Sequence, residues 1–220
     1  NKLDKPMIIL IGGTTGVGKS TIATSIAHRL GITHIVATDS LREVMRSILS
    51  EELMPSLSQS SFSAWQSLSL PLPPDADPVI IGFREQVVAV NVGIKAVVDR
   101  AVHEGLNLVL EGVHVVPGFF AWEFENAFVI QLIVHVDEYE KHLSHFYIRE
   151  LQTEGLRAFE RYRSNFENIR KLGDYILMLA QESDVPVVRS HDLDSAVSES
   201  LEIILDRVLG PVDENTLQAR

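Results

Sequence analysis

A glycine-rich segment near the start of the chain, GGTTGVGKST at residues 12–21, constrains the fold more than any other stretch. Its glycines, together with Lys19 and Ser20, fit the pattern G-x-x-x-x-G-K followed by Ser or Thr. This spacing lets successive backbone N–H groups point into one concavity, because glycine easily adopts the backbone conformations that this requires. The pattern therefore predicts a loop that binds the phosphates of a nucleotide. The residues predicted to form this phosphate loop are Gly13, Thr14, Thr15, Gly16, Val17, Gly18, Lys19, Ser20 and Thr21.

The segments on either side of the phosphate loop are those that such a loop requires. Residues 7–11 form a short apolar run, MIILI, which is typical of a buried parallel strand. Residues 20–30 have apolar side chains at helical spacing, and Gly31 stands just past their end. In this setting the helix dipole attracts phosphate, Lys19 can reach the β and γ phosphates, and the Ser20 hydroxyl can bind Mg²⁺.

Strands and helices alternate along most of the remaining chain. Such alternation implies right-handed crossovers and a parallel sheet that is covered on both faces. Residues 87–102 also show strand-like alternation, but no turn signal interrupts them and a helix is predicted. The predicted fold class is α/β, with three α/β/α layers and a five-stranded parallel sheet. The further strands are predicted at residues 34–37, 107–110, 128–136 and 185–188, and the further helices at residues 40–49, 87–102, 138–182 and 194–209.

The predicted domain organisation is a single domain over residues 1–210, followed by a flexible tail at residues 211–220. A Ser- and Pro-rich insertion at residues 55–78 breaks the alternation, and long loops of this kind in compact domains are often functional. A helical lid is predicted at residues 145–171, with Gly155 as its hinge.

The composition excludes several classes of function. The chain has no cysteine, which rules out disulfides, thiolate catalysis and Cys-bound zinc. No apolar run approaches the roughly 20 residues that cross a bilayer, and no secretory signal is visible, so we expect no membrane partner and a cytoplasmic location. The net charge of −11 disfavours nucleic acid as a partner, because a chain this acidic is repelled by a phosphate backbone. Oligomeric state is not readable from the sequence.

Two carboxylates are predicted to lie beside the phosphate loop, because each follows a predicted strand. Asp39 is predicted to accept the proton of an attacking hydroxyl. Glu111 is predicted to orient the attacking group and, with Ser20 and Asp39, to hold Mg²⁺. The alternatives are a helix N-cap at Asp39 and a charge that only caps the strand at Glu111.

Basic residues in two segments predict a binding site for a small anion. Arg42 and Arg46 share one helix face and can hold an anionic acceptor, with solvated side chains as the alternative. Arginines also cluster in the predicted lid, where they would approach the charge that develops in phosphoryl transfer and exclude water. The alternative for this cluster is a solvated helix face, because glutamates are interleaved with the arginines. Arg157 and Arg161 are the predicted catalytic arginines, Arg149 and Arg163 are predicted to bind substrate, and Arg170 completes the cluster.

The sequence disfavours a guanine-nucleotide switch. The segment NKLD at residues 1–4 matches a guanine-reading motif, but only two residues separate it from the first predicted strand. It would therefore lie at the opposite end of the sheet from the nucleotide. The terminal phosphate is predicted to pass to a second small molecule rather than to water.

With these segments assembled, the chain resembles the 2-phosphoglycerate kinase family over about residues 7–205. The resemblance rests on IGGTTGVGKSTIA, TDSLREVMR, SSFSAW, EGVHVVPG, RYRSNFENIRKLGDYI and VPVV. EGVHVVPG together with SSFSAW is much more specific than the phosphate loop. Members of that family carry an additional N-terminal domain, and this chain starts just before its first predicted strand.

The resemblance implies a P-loop fold like that of nucleoside monophosphate kinases, with ATP and Mg²⁺ as cofactors. It implies phosphoryl transfer to the 3-hydroxyl of 2-phosphoglycerate, which gives 2,3-bisphosphoglycerate. This acceptor carries a carboxylate and a phosphate, so Arg42 and Arg46 are the first candidates to bind it. Ser60, Ser61 and His114 are further candidates to bind the acceptor. The alternatives are that the two serines only make local turns and that His114 is an ordinary loop histidine. Other P-loop kinases of nucleotides, nucleotide sugars or polynucleotide ends, and a non-catalytic ATP-binding module, remain as alternatives.

Overall fold

The structure is a computed structural model of the 220-residue chain, and it describes residues 4–69, 71–120, 124–154 and 159–210. Its five strands are β1 (Met7–Gly12), β2 (His34–Ala37), β3 (Leu108–Glu111), β4 (Phe128–His135) and β5 (Val187–Arg189). They form one parallel sheet in the order β2-β3-β1-β4-β5. The predicted five-stranded parallel sheet is confirmed. β5 begins two residues later and ends one residue later than predicted.

Seven α-helices and two 3₁₀ helices cover the described parts of this sheet. The α-helices are α1 (Lys19–Leu30), α2 (Thr38–Ile48), α3 (Pro78–Glu104), α4 (Tyr139–Gln152), α5 (Phe159–Arg163), α6 (Phe166–Glu182) and α7 (Leu193–Leu209). The 3₁₀ helices, Pro55–Ser58 and Ser61–Ser67, lie in the predicted insertion. Among the described residues, none of these helices has the length and apolar character that crossing a membrane demands.

The layers follow from the alternation of side chains along the buried strands. Ile9 and Ile11 of β1 pack with α1 and α7 on one face of the sheet. Ile8 and Leu10 point to the other face, where they pack with α3. A third apolar cluster joins α6 and the N-terminal half of α3 beside Ile133 of β4. The α/β/α arrangement therefore results from burying both faces of each central strand.

The strand register brings three loops to one edge of the sheet. Ile11 of β1 pairs with Glu111 of β3, and Glu111 pairs with Ala37 of β2. The chain continues from these positions into the phosphate loop, into residues 112–118 and into α2. Because the strands are parallel, all three segments meet at their carboxyl ends, where open α/β sheets bind ligands.

The structure differs from the sequence-based expectations in three elements. α2 starts at Thr38 rather than at residue 40, so Asp39 lies in the first turn of the helix and not at the end of a strand. α3 is longer than predicted because Asp77 caps it, accepting hydrogen bonds from the backbone of Val79 and Ile80. The predicted lid comprises the end of α4, all of α5 and the start of α6, and its hinge residue Gly155 lies outside the described residues. The division into domain, insertion, lid and tail remains a prediction.

Two glycines of α3 give a matched pair of stability predictions. A β-carbon at Gly82 would lie 2.4 Å from the Trp65 backbone, whereas the nearest atom to one at Gly93 would be the Met45 sulfur, at 3.1 Å. Alanine in a helix is favoured over glycine by about 0.5–1 kcal/mol, but overpacking against rigid backbone costs about 1–3 kcal/mol. We therefore expect Gly82→Ala to lower the melting temperature by about 2–8 °C.

Gly93→Ala serves as the control for this measurement. The Met45 side chain is flexible and can yield, so the melting temperature should stay equal or rise slightly. Thermal unfolding followed by circular dichroism compares the two variants. A Gly82→Ala variant as stable as Gly93→Ala would contradict the close packing of α3 on the second 3₁₀ helix.

Candidate active site

The phosphate loop takes a backbone conformation that its glycines permit. Gly13, Gly16 and Gly18 have φ angles of 131°, 88° and 92°, in the region that other residues rarely adopt. Close approach adds to this requirement, because a β-carbon at Gly13 would lie 2.2 Å from the carbonyl oxygen of Val134. One at Gly16 would lie 2.4 Å from the ring of Phe146 on α4. The loop is therefore packed directly against β4 and α4.

Lys19 lies folded over the phosphate loop. Its Nζ donates a hydrogen bond to the carbonyl oxygen of Thr14, at 2.7 Å, and the residue is 8% exposed. Burial lowers the pKa of Lys19, while attraction to Glu111 and Asp39 acts in the opposite direction. A partly desolvated ammonium of this kind interacts strongly with an anion that enters the site.

Ser20 and Glu111 form the oxygen-rich part of the site. The Ser20 hydroxyl donates to Oε1 of the buried Glu111, at 2.9 Å. Mg²⁺ prefers oxygen ligands and is usually held by one or two carboxylates together with substrate phosphates and water. The described residues include no group of three or more Asp, Glu or His side chains able to hold a metal ion alone. Ser20 and Glu111 therefore fit Mg²⁺ that is bound together with a nucleotide.

A cavity of about 330 Å³ connects the phosphate loop with Asp39 and α4. Six phosphate-loop residues line it, whereas Thr14 and Val17 are buried elsewhere. Thr14 bonds through its hydroxyl to the carbonyl oxygen of Ile169 on α6, at 2.9 Å. Of the predicted arginines, Arg149 lines the cavity. The lining residues are Thr15, Gly16, Gly18, Lys19, Ser20, Thr21, Ala37, Asp39, Glu111, Gly112, Val113, His145, Ile148, Arg149, Gln152, Ser190, His191, Asp192 and Leu193.

Asp39 and Arg42 are neighbours on the first turns of α2, but they make different contacts. The Asp39 side chain is 74% exposed and borders the cavity, and its Oδ1 is 3.9 Å from Nε of Arg42. Arg42 is only 13% exposed and turns toward the insertion, where it donates to the carbonyl oxygen of Leu57, at 2.5 Å, and to Glu43. Asp39 is not the N-cap of α2, since that position belongs to Ala37.

Glu43 is a partner of Arg42 and Arg46 that the sequence reasoning did not identify. Nε of Arg46 donates to Oε2 of Glu43, at 2.8 Å. Hydrogen bonding to Arg46 lowers the pKa of Glu43, so the carboxylate remains charged between the two guanidinium groups. Arg46 is half exposed and lies outside the cavity lining.

The lid and the insertion meet through two of the predicted residues. Nη2 of Arg161 on α5 donates to the Ser60 hydroxyl, at 2.6 Å, and its guanidinium lies 6.0 Å from the centre of the Phe62 ring. Ser61 is buried at the start of the second 3₁₀ helix. The structure therefore brings Arg161 and Ser60 together in one contact.

The other lid arginines take separate positions. Arg163 is 62% exposed and pairs with Glu160. Arg170 is anchored to backbone, donating to the carbonyl oxygens of Val136, at 2.6 Å, and Asp137, at 3.0 Å. Arg157, the remaining predicted catalytic arginine, lies outside the described residues.

His114 is buried in a polar network beside the site rather than in the lining of the cavity. Its Nδ1 is 2.9 Å from the hydroxyl of Thr38, and its Nε2 is 3.1 Å from Oε1 of Gln86. Gln86 in turn donates to the carbonyl oxygens of Ser56, at 2.5 Å, and Gln59, at 2.9 Å. The network ties the start of α2 to the insertion. His114 thus links Thr38 at the start of α2 to Gln86 of α3, and its direct contact with an acceptor remains a prediction.

Two α4 residues that line the cavity, His145 and Gln152, were missed by the sequence reasoning, whereas Arg149 was predicted. His145, Arg149 and Gln152 recur at intervals of four and three residues, so one face of α4 points into the cavity. Residues 190–193, in the loop after β5, also line the cavity. Helical periodicity starting from Arg149 could have identified His145 and Gln152. The loop after β5 carries no comparable motif.

Curated relatives decide the family. Over 208 residues the chain is 42% identical to the 2-phosphoglycerate kinase of Pyrococcus horikoshii, covering 94% of this chain and 67% of the relative. The chain belongs to the 2-phosphoglycerate kinase family.

Other members of the 2-phosphoglycerate kinase family give the same result. Identity is 43% over 211 residues to the enzyme of Methanopyrus kandleri, covering 94% of this chain and 63% of the relative. It is 45% over 190 residues to that of Methanothermobacter thermautotrophicus, covering 86% of this chain and 62% of the relative. The chain thus spans less than two thirds of the length of these two relatives. A scan against models of known families finds no match.

Solved structures confirm the fold. Shikimate kinase from Acinetobacter baumannii, solved with shikimate, matches with a TM-score of 0.51 at 15% identity, over 95% of this chain and 96% of that one. The structure of TT1252 from Thermus thermophilus also has a TM-score of 0.51, at 18% identity, over 94% of this chain and 100% of that one. Together with the phosphate loop and parallel sheet, the likeness confirms the predicted P-loop kinase fold.

The buried imidazole of His114 predicts that the chain loses stability in acid. Burial lowers the pKa of His114 to about 4, whereas an unfolded histidine has a pKa near 6.5. Between these pH values the unfolded chain binds a proton that the folded chain does not, so the free energy of unfolding falls as the pH decreases from about 6.5 to about 4. The expected loss from this residue is on the order of 3 kcal/mol.

Urea unfolding at a series of pH values tests this expectation. His114→Gln should lose less stability between pH 6.5 and pH 4 than the unmodified chain does, whatever its stability at neutral pH. His28→Gln provides the control, because this histidine is exposed on α1 and lies outside the buried network. Parallel curves for His114→Gln and the unmodified chain would show that His114 is not held neutral.

Proposed function

We propose that the chain transfers the γ-phosphoryl group of ATP to the 3-hydroxyl of 2-phosphoglycerate and forms 2,3-bisphosphoglycerate. The observation that carries this proposal is the single cavity in which the phosphate loop, Asp39, Glu111 and Arg149 meet. Membership of the 2-phosphoglycerate kinase family supports the choice of acceptor.

The nucleotide side of the reaction rests on the phosphate loop. Its backbone N–H groups and Lys19 bind the phosphates, and Lys19 exchanges its bond to Thr14 for a phosphate oxygen. Ser20 and Glu111 would hold Mg²⁺, which would supply positive charge to the β and γ phosphates. Arg149, which lines the same cavity as Lys19, adds positive charge where negative charge develops.

Asp39 provides the carboxylate for the hydroxyl of the acceptor. Its exposed position in the first turn of α2 leaves it accessible at the cavity. A new P–O bond forms to the acceptor oxygen as the bond between the γ-phosphorus and the bridging oxygen breaks. The hydroxyl proton passes to an Asp39 oxygen, and the lid excludes the water that would otherwise take the phosphoryl group.

The acceptor side is formed by the insertion and the lid. Arg42 contacts the insertion at Leu57, and Arg161 contacts it at Ser60, so two guanidinium groups flank a stretch of four residues. Guanidinium groups bind carboxylate and phosphate by paired hydrogen bonds. We assign the anionic groups of 2-phosphoglycerate to this region, and we propose Arg46 and Ser61 as further residues of the acceptor site.

The decisive experiment is an assay for ADP with one candidate acceptor at a time. In the presence of ATP and Mg²⁺ we expect ADP to form rapidly only when 2-phosphoglycerate is added, with 2,3-bisphosphoglycerate as the product in phosphorus NMR. Phosphorylated sugars, nucleotides and 3-phosphoglycerate serve as controls. ATP binding without product from any acceptor would instead favour a non-catalytic module.

Substitutions at Lys19 and Asp39 separate binding from transfer. Lys19→Ala should lose most turnover, because the Lys19 ammonium is the main side-chain positive charge that acts on the transferred phosphoryl group. Asp39→Ala should lose transfer while its affinity for ATP, measured by calorimetry, stays within about twofold. Asp206→Ala, at the far end of α7, is the matched control. A turnover within threefold for Asp39→Ala would exclude Asp39 as the base, although a loose transition state could still allow kinase activity.

Arg161 provides a test of the acceptor site. Removing a guanidinium from a charged contact costs about 1.5–3 kcal/mol, so Arg161→Ala should raise the KM for 2-phosphoglycerate about 10- to 100-fold. The KM for ATP should change far less. Arg100→Ala, an exposed arginine paired with Glu104 on α3, serves as the control. Equal effects of Arg161→Ala on both KM values would place Arg161 at the nucleotide instead of the acceptor.

A further inference from the structure

Three consecutive carbonyl groups of the phosphate loop each accept a hydrogen bond from a side chain. The carbonyl of Thr14 is bonded to Lys19, as described above. The carbonyl of Thr15 accepts from Nε2 of His142, and that of Gly16 accepts from Nδ1 of His145, both at 2.8 Å. A carbonyl oxygen can only accept, so each of these ring nitrogens carries the proton. Both histidines belong to α4, more than 120 residues further along the chain.

These bonds fix the direction of the amides that the loop would offer to phosphate. In a planar trans peptide the carbonyl of one residue and the N–H of the next point in opposite directions, and the described chain has no cis peptide. Holding the Thr15 carbonyl toward His142 therefore directs the N–H of Gly16 away from α4. Holding the Gly16 carbonyl toward His145 does the same for the N–H of Val17.

The two histidines lie on the helix face that also carries Arg149. Residues 142, 145 and 149 are separated by three and four positions, so they are aligned along α4. The ring of Phe146 on the same side contacts Gly16 so closely that a β-carbon there would not fit. α4 therefore contacts the loop through two hydrogen bonds and one apolar contact, and His145 makes one of these bonds at the edge of the cavity.

His142 is itself held in place from behind. It is fully buried, its ring packs edge-on against Phe166, and Nη1 of Arg170 lies 3.5 Å from its Nδ1. Burial lowers the pKa of His142 to about 4, so the ring stays neutral near pH 7 with one donor and one acceptor nitrogen. His145 is only partly buried and lines the cavity.

We propose that His142 and His145 are positioning residues that couple the phosphate loop to α4. They hold the loop amides in the orientation that receives the nucleotide phosphates, and through the same helix they place Arg149 over the cavity. This inference rests on the proposed nucleotide site and deepens it. A change in either bond should therefore weaken ATP binding without unfolding the chain.

Crossed amide substitutions test the proposal through the identity of the donor atom. The side-chain nitrogen of Asn takes the place of Nδ1 of histidine, and that of Gln takes the place of Nε2. At position 145, His145→Asn should keep ATP affinity within about twofold, whereas His145→Gln should weaken it about five- to tenfold, as expected for one lost hydrogen bond. At position 142 the order should reverse, with His142→Gln retaining affinity and His142→Asn losing it.

Calorimetric titration with ATP and Mg²⁺ measures the affinities, and the melting temperature without nucleotide shows whether each variant is folded. Should the substitutions at the buried position 142 prevent folding, the pair at position 145 decides the question. Equal affinity for His145→Asn and His145→Gln, whether retained or lost, would overturn the proposed role of the histidines while leaving the proposed function intact. Failure of the unmodified chain to bind ATP would overturn both.

Discussion

The close contact of the phosphate loop with its neighbours is the constraint on which the rest of the structure depends. Gly13 packs closely against the backbone of β4 and Gly16 against Phe146 of α4, so neither position has room for a side chain. A loop packed this tightly cannot adjust its own shape, and its conformation is determined by the segments around it. The position of α4, and with it the near end of the lid, is consequently tied to the loop that would hold the nucleotide.

A second set of contacts determines the acceptor side in the same way. The buried chain of hydrogen bonds from Thr38 through His114 to Gln86 joins α2 to α3 and to the insertion. Buried polar groups are costly when they lack partners, so each bond in the chain favours the others. Asp39 follows directly after Thr38. The carboxylate assigned to the acceptor hydroxyl and the insertion assigned to the acceptor anion are therefore positioned by one network.

The sequence predicted the fold because the signals for it are local. Apolar runs, helical spacing and terminal glycines determine where strands and helices lie, and strand order makes Glu111 a neighbour of the phosphate loop. Asp39 was also expected at the site, although its helix starts two residues earlier than predicted. Contacts between distant segments were not predictable. The partners of Arg42 and Arg161, the histidines of α4 and the lining by residues 190–193 depend on packing that no local pattern encodes.

The aromatic packing under the lid connects the two halves of the site. Phe146, which contacts the phosphate loop, stacks on Tyr162 of α5, with ring centres 4.7 Å apart. Tyr162 in turn meets Phe62 of the insertion edge-on, and Arg161 beside it contacts Ser60. A ligand bound at the phosphate loop would therefore stabilise, through Phe146 and Tyr162, the helices that carry the proposed acceptor contacts. By linkage, an acceptor bound at its proposed site would stabilise the bound nucleotide to the same extent, and the proposed closed arrangement would then need both substrates. Such coupling suits transfer to a small molecule, because water alone would not complete the closed arrangement.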